Sequence, residues 1–205
     1  LVVLDTCYNT LDAHFIVMNN TLGATQAAQH LIGLGHRRIG YVQSSVRMYN
    51  FNARKEGFFH ALAESGMGVA EQDLFTAAPT VVSPQENFMS AIRDRNGDLP
   101  SALFCECDYM AISAIKSLTE LGIKVPHDVS VVGFDNIHEA VVISPELTTV
   151  HVEKEAIAEI AVSKLAEMME NRSSVTTKIV VDTRLVVRNS SCAWSGSAHR
   201  VEGGG

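Results

Sequence analysis

No stretch of this 205-residue chain approaches the ~18 consecutive apolar residues that a bilayer span needs, so no segment reads as a membrane helix. Basic residues are in the minority, 16 Lys and Arg against 23 Asp and Glu, and the formal charge of −7 excludes a surface that grips nucleic acid through clustered cations. Cysteine is sparse: Cys7, Cys105, Cys107 and Cys192 are scattered through a chain long enough to bury a core without cross-links, which points to a reducing compartment. Signatures of catalysis are missing as well. Gly33-Leu34-Gly35 closes a helical pattern instead of opening one, the wrong polarity for a phosphate cradle. No Gly-x-Ser-x-Gly elbow follows a strand, and no two histidines have the i, i+4 spacing of a helical zinc site. Cys105-x-Cys107 is not a standard ligand spacing and reads as one buried thiol with an incidental neighbour. The expectation is a protein that is not an enzyme, with no cofactor, no catalytic residue and no metal.

What is present is a strict alternation of strand and helix patterns. Apolar runs of strand length lie at Leu1–Leu4, Phe15–Met18, Arg38–Gln43, Leu74–Thr76, Ala102–Cys105 and Val129–Phe134. Between them, apolar residues recur at helical spacing. Ala24, Ala27, Ala28 and Leu31 end at Gly35, and Phe58, Ala61 and Leu62 end at Gly66. A further helix is predicted around Gln85–Arg95. Ala111, Ala114, Ile115 and Leu118 end at Gly122, with Asp108 expected to cap that helix. A longer helix carries Ile157, Ile160, Ala161 and Leu165 on one face. Lys178–Arg188 reads as one or two extended pieces with a turn near Asp182-Thr183. This order implies parallel βαβ units with right-handed crossovers, an α/β fold.

In such a fold ligands bind beyond the carboxyl ends of the strands. Asp5, Cys107 with Asp108, and Asp135 all follow predicted strands, and Arg54 opens the helix after a fourth. Carboxylates accept from hydroxyl groups and a guanidinium donates through a fixed fork, a combination suited to a polyol or sugar. Asp135 is the hardest of these to explain as a turn former, because the adjacent Asn136 would serve that purpose alone.

Four blocks resemble the regulatory domain of LacI/GalR-family transcription regulators. They are Asn20-Thr21-Leu22-Gly23-Ala24 through His30–Tyr41, Arg54-Lys55-Glu56-Gly57-Phe58, Gly122-Ile123-Lys124-Val125-Pro126 through Val131–Asn136, and Pro145-Glu146-Leu147-Thr148-Thr149-Val150. The closing Leu185–Ser191 is similar to that family's usual ending, and the likeness covers about residues 1–191. The resemblance implies a periplasmic-binding-protein-like fold, two doubly wound parallel-sheet subdomains joined by three crossovers with a ligand cleft between them. On that pattern residues 1–36 plus 136–164 form a partial N-terminal subdomain and 37–135 plus 165–191 the C-terminal one, leaving 192–205 as a flexible tail. The family's helix-turn-helix is absent from this sequence, so operator DNA would be bound through another domain. The resemblance further implies a cytoplasmic homodimer that answers to a small, sugar-like effector and does not engage membranes. Asp5, Asn50, Arg54 and Asp135 stand where the family contacts its effector, and Cys107 stands where the family often has Asn. Met18 and Thr80-Val81-Val82 also depart from the family's usual residues, and Tyr49 or Phe51 is the candidate to supply a stacking face. A periplasmic sugar-binding protein of a transport system is the alternative that shares this architecture.

Overall fold

The computed structural model describes residues 1–8, 10–95, 98–170 and 175–196. Fourteen regular strands and helices alternate along it. Strands β1 (Val2–Leu4) and β2 (His14–Met18) lead to helix α1 (Asn20–Gly33), then β3 (Ile39–Ser44), α2 (Tyr49–Glu64), β4 (Leu74–Ala77) and α3 (Glu86–Arg93). After these come β5 (Ala102–Cys105), α4 (Asp108–Glu120), β6 (Ser130–Asp135), β7 (Thr148–His151), α5 (Lys154–Glu170), β8 (Lys178–Val181) and β9 (Arg184–Val186). Asn19 caps α1, its side chain accepting from the Leu22 amide at 3.1 Å, and Gly35 ends it at a φ of +88° that only glycine adopts without strain.

The strands form two sheets. A six-stranded sheet has the order β4-β3-β5-β6-β7-β9, parallel except for β9, and a three-stranded parallel sheet has the order β1-β2-β8. The large sheet is wrapped on both faces, which is why its strands are apolar runs instead of alternations. Tyr41, Phe104, Val132 and Phe134 face α1 and α2, where they meet Ala24, Ala28, Leu31, Phe58 and Leu62. Val42, Leu103, Cys105 and Val131 face α3 and α4, packing with Phe88, Met110, Ala114 and Leu118. Helices α1 and α2 approach closely because position 57 has no side chain: a Cβ there would sit 2.4 Å from the Thr21 carbonyl oxygen.

Strand pairing redraws the expected partition. Helix α1 packs on α2, β7 and β9, so residues 20–33 belong to the large sheet and not to the N-terminal unit. Strand β7 pairs with β6 along Val132–Asp135, which keeps residues 136–151 there too. Conversely, α5 packs on β1 and β2, and β8 pairs with β2. The chain therefore crosses between the sheets three times, at residues 18–20, 151–154 and 181–184. The first and third crossings are tied together: Asn19 donates to the Asp182 carboxylate at 2.8 Å, and the Thr183 hydroxyl donates to the Asn19 carbonyl at 3.0 Å. The start of the expected tail is also packed, since the Trp194 amide donates to the Leu34 carbonyl at 2.8 Å and His36 donates to the Cys192 carbonyl at 3.1 Å. The remainder of that tail, 197–205, lies outside the described residues.

Candidate functional site

Between the two sheets lies a cavity of about 440 Å³. The small unit contributes Leu4, Asp5, Met18, Ile157 and Ala158; the large one contributes Met48, Asn50, Phe51, Arg54, Asp135 and Ile137; Val152 and Lys154 come from the second crossing. Asp5 and Asp135 sit at strand carboxyl ends, Asn50 and Arg54 on the first turns of α2, and Lys154 opens α5. Asp5 follows β1, and Asp135 closes β6. The non-glycine residues at positive φ among the described residues are Asp5 (60°), Asp135 (112°) and Asn136 (47°). Backbone in that region is sparsely populated by side-chain-bearing residues, and here it turns two carboxylates toward the same space.

Arg54 is the hub. Its guanidinium is 3% exposed and lies over the Phe134 ring, 3.8 Å from the ring centroid. Nε donates to Asn20 Oδ1 at 2.9 Å, Nη1 to the Glu106 carbonyl at 2.5 Å, and Nη2 to Asp135 Oδ1 at 2.9 Å and toward Met18 Sδ at 3.3 Å. Asn50 bridges the two units. Its Nδ2 donates to the Asp5 carbonyl at 2.7 Å and the Asp5 carboxylate at 2.8 Å, while its Oδ1 accepts from Asn20 at 3.0 Å. Burial raises the Asp135 carboxyl above the usual carboxylate range, and the Arg54 charge and hydrogen bond oppose that. Among the described residues, hydrogen bonds engage only one oxygen of each carboxylate, so the second oxygen of Asp5 and of Asp135 is an acceptor for a guest.

Four of the five residues expected to contact a ligand, Asp5, Asn50, Arg54 and Asp135, therefore line one cavity. Cys107 does not. It is 4% exposed, its thiol is directed 3.6 Å from the Pro79 carbonyl on the α3–α4 side of the sheet, and burial pushes its pKa up to about 12. Nor does Asp108 cap α4. Its carboxylate accepts from the Thr149 hydroxyl at 2.5 Å and the Ile137 amide at 2.9 Å, so it fastens β7 and the segment after β6 to α4. Burial, reinforced by the nearby Asp135 charge, raises the Asp108 pKa to about 7. Of the two candidate stacking rings, Phe51 lines the cavity, whereas the Tyr49 hydroxyl accepts from Lys178 on β8 at 3.0 Å. Met48, Val152, Lys154, Ile157 and Ala158 were beyond sequence reasoning, because which face of a loop or helix meets the cleft depends on how the crossings are angled. Cys105 and Cys107 are free thiols, no group of three metal-ligating side chains occurs among the described residues, and none of the described helices is long and apolar enough to cross a membrane.

Two α/β units clasping a partly polar cavity at their crossings define a binding protein of the two-lobed cleft type. The chain belongs to the periplasmic-binding-protein-like domain family, whose model matches residues 28–191, in the form carried by LacI-family transcription regulators. Among relatives, the HTH-type transcriptional repressor PurR of Mannheimia succiniciproducens is 32% identical over 195 residues, covering 93% of this chain and 56% of that protein. A putative LacI-family regulator from Sanguibacter keddieii superposes with a TM-score of 0.81 at 30% identity, covering 92% of this chain and 71% of the other. The transcriptional regulator CelR in its cellobiose complex gives a TM-score of 0.82 at 27% identity, covering 93% and 58%. The chain spans about half the length of the curated relatives it matches. PurR is a transcriptional repressor and the other two relatives are transcriptional regulators, so the family to which the chain belongs is one of regulators and not of enzymes.

Proposed function

We propose that this chain is the effector-binding domain of a LacI-type transcription repressor, and that the cavity between its sheets takes a small sugar-like molecule. The observation that carries this reading is the joint lining of one cavity by Asp5 from the small unit and by Asn50, Arg54 and Asp135 from the large one. A molecule held by both units favours one closure angle over others, and only such differential binding shifts a conformational population. The free oxygens of Asp5 and Asp135 suit adjacent hydroxyls, and the apolar walls of Leu4, Met18, Phe51 and Ile157 suit the C–H face of a sugar ring. A similar regulator is known in complex with cellobiose. In this proposal the closure change is passed, in a cytoplasmic homodimer, to operator DNA held by a domain outside this sequence.

The test is a thermal-shift screen of the intact protein against cellobiose, ribose and other mono- and disaccharides, with sugar phosphates and nucleobases alongside. A true effector at 100 times its Kd stabilises the folded state by about 2.7 kcal/mol, a shift of several degrees. Stabilisation by a sugar supports the proposal, stabilisation by a nucleobase alone replaces the ligand class, and no response from any of them sinks the effector reading.

A further inference from the structure

One buried acid beside the cavity is not used by the proposed ligand contacts. Glu106, the middle residue of Cys105-Glu106-Cys107, is 0% exposed, yet its carboxylate is saturated. Oε1 accepts from the Tyr41 hydroxyl at 2.7 Å and from Arg47 Nη1 at 2.7 Å; Oε2 accepts from the Ser44 amide at 2.6 Å and from the same Nη1 at 2.9 Å. Arg47 reaches onward, with Nε and Nη2 donating to Asn52 Oδ1 at 3.2 and 2.9 Å. From the main chain, the Glu106 carbonyl takes the 2.5 Å hydrogen bond from Arg54.

We infer that Glu106 is a positioning residue for the cavity, acting through Arg47 on the loop between β3 and α2 and through its own carbonyl on Arg54. The inference rests on the reading of the cavity as the ligand site. The loop runs from Ser44 to Tyr49 and delivers Met48, Asn50 and Phe51 to the cavity. It is gripped at both ends by one carboxylate: directly at the Ser44 amide, and at Asn52 through the Arg47 fork. That second grip matters because Met48, the N-cap residue of α2, makes no side-chain cap hydrogen bond. A purely structural role for the position would be served as well by an apolar residue, since a buried ion pair is a poor stabiliser relative to packed hydrocarbon. What hydrocarbon cannot supply is four fixed directions at once. Glu106 itself has no free lone pair for a ligand, so it touches none.

The substitution that isolates this role is Glu106→Gln. Its Oε1 still accepts from the Ser44 amide, while Arg47 loses its counter-charge and is released toward solvent. In the intact protein, amide hydrogen exchange over residues 44–54 is expected to rise about tenfold or more, with β5, β6 and α4 unchanged relative to one another. The Arg54 Nε–H, which donates to Asn20, is expected to broaden or shift in nitrogen-15 spectra. Uniform acceleration across the six-stranded sheet would make Glu106 merely structural, and unchanged exchange at 44–54 would overturn the inference outright. Arg47→Lys guards against a misfolded variant: its single ammonium does not span Glu106 and Asn52 together, so partial loosening of the same segment is expected, and wild-type exchange would count against the idea. These readouts use no ligand, so failure of the sugar screen and failure of this inference are separately visible.

Discussion

Two arginine–carboxylate pairs flank the same cavity and are built as mirror images. In Arg54–Asp135 the arginine side chain is buried (3% exposed) and the acid is open to the cavity (27%). In Arg47–Glu106 the acid is buried (0%) and the arginine is at the surface (36%). The buried member of each pair is held on several sides by the protein: Asn20, Glu106 and Asp135 around Arg54, and Tyr41, Ser44 and Arg47 around Glu106. The exposed member keeps capacity to spare. For Asp135 that spare capacity faces the cleft between two sheets and is available to a ligand. For Arg47 it faces solvent, and the pair serves as a brace. The same two functional groups thus do different work according to which of them is left with an unused site.

The sharpest way to break this contrast is Arg47→Ala. It leaves Glu106 as a buried charge with its counter-ion gone, and stability is expected to fall by about 2–4 kcal/mol, somewhat below the value for a fully buried pair because Arg47 is a third exposed. Denaturant unfolding of the intact protein checks this; a loss under about 0.5 kcal/mol would mean the brace carries no load.

A second prediction concerns pH. The Asp108 pKa is raised to about 7 by burial, so between about pH 4 and 7 the folded state binds a proton that the unfolded chain has released. Its contribution is therefore fully present below the unfolded value, near 3.8, and is lost as pH rises through the folded value, near 7. Each tenfold difference in proton affinity is worth about 1.4 kcal/mol, so the loss is of order a few kcal/mol. Asp108→Asn keeps partners for Thr149 and Ile137 and removes the titrating group. Its Tm is expected to be flatter than the wild type's from pH 5 to 8; parallel profiles would assign the pH dependence to another group.

The smallest effect on stability is expected at Asp135. Asp135→Asn keeps the side-chain shape and tolerates the positive φ, and Arg54 retains Asn20 and Glu106. Stability should change by less than about 1 kcal/mol while affinity for the effector found by the screen drops about 10- to 100-fold, the worth of a hydrogen bond to a charged group. If stability fell as far as in Arg47→Ala, the two pairs would be doing the same job.

Much of the architecture was legible in the chain. Helix α1 with its Gly35 stop, the strand leading to Asp135, and the two extended pieces within Lys178–Arg188 are local patterns of spacing and capping, although the link between those pieces at Asp182-Thr183 is a crossing between sheets and not a turn. Strand β7 escaped notice because Thr148-Thr149-Val150-His151 is short and half polar, and its threonines are buried only because Asp108, Ser190 and Ser191 supply partners. In the cavity, Asp5, Asn50, Arg54 and Asp135 were named from strand ends and family likeness. Glu106 was passed over in favour of its neighbour Cys107, since nothing local to that strand end says that the Glu106 carboxylate meets Tyr41, Ser44 and Arg47.

An α/β chain with carboxylates and an arginine at strand tips is written in the local order of residues, because helical period, buried parallel strands and glycine stops depend on neighbours in the chain. Which sheet α1, β7, α5 and β8 join, that Cys107 turns away from the cavity, and that Glu106 is closed while Asp135 is open emerge when distant segments pack together. Those outcomes depend on partners far apart in the chain, 81 residues for Arg54 and Asp135 and 163 for the β2–β8 pair Phe15 and Lys178, and on which lone pairs remain once those partners have met.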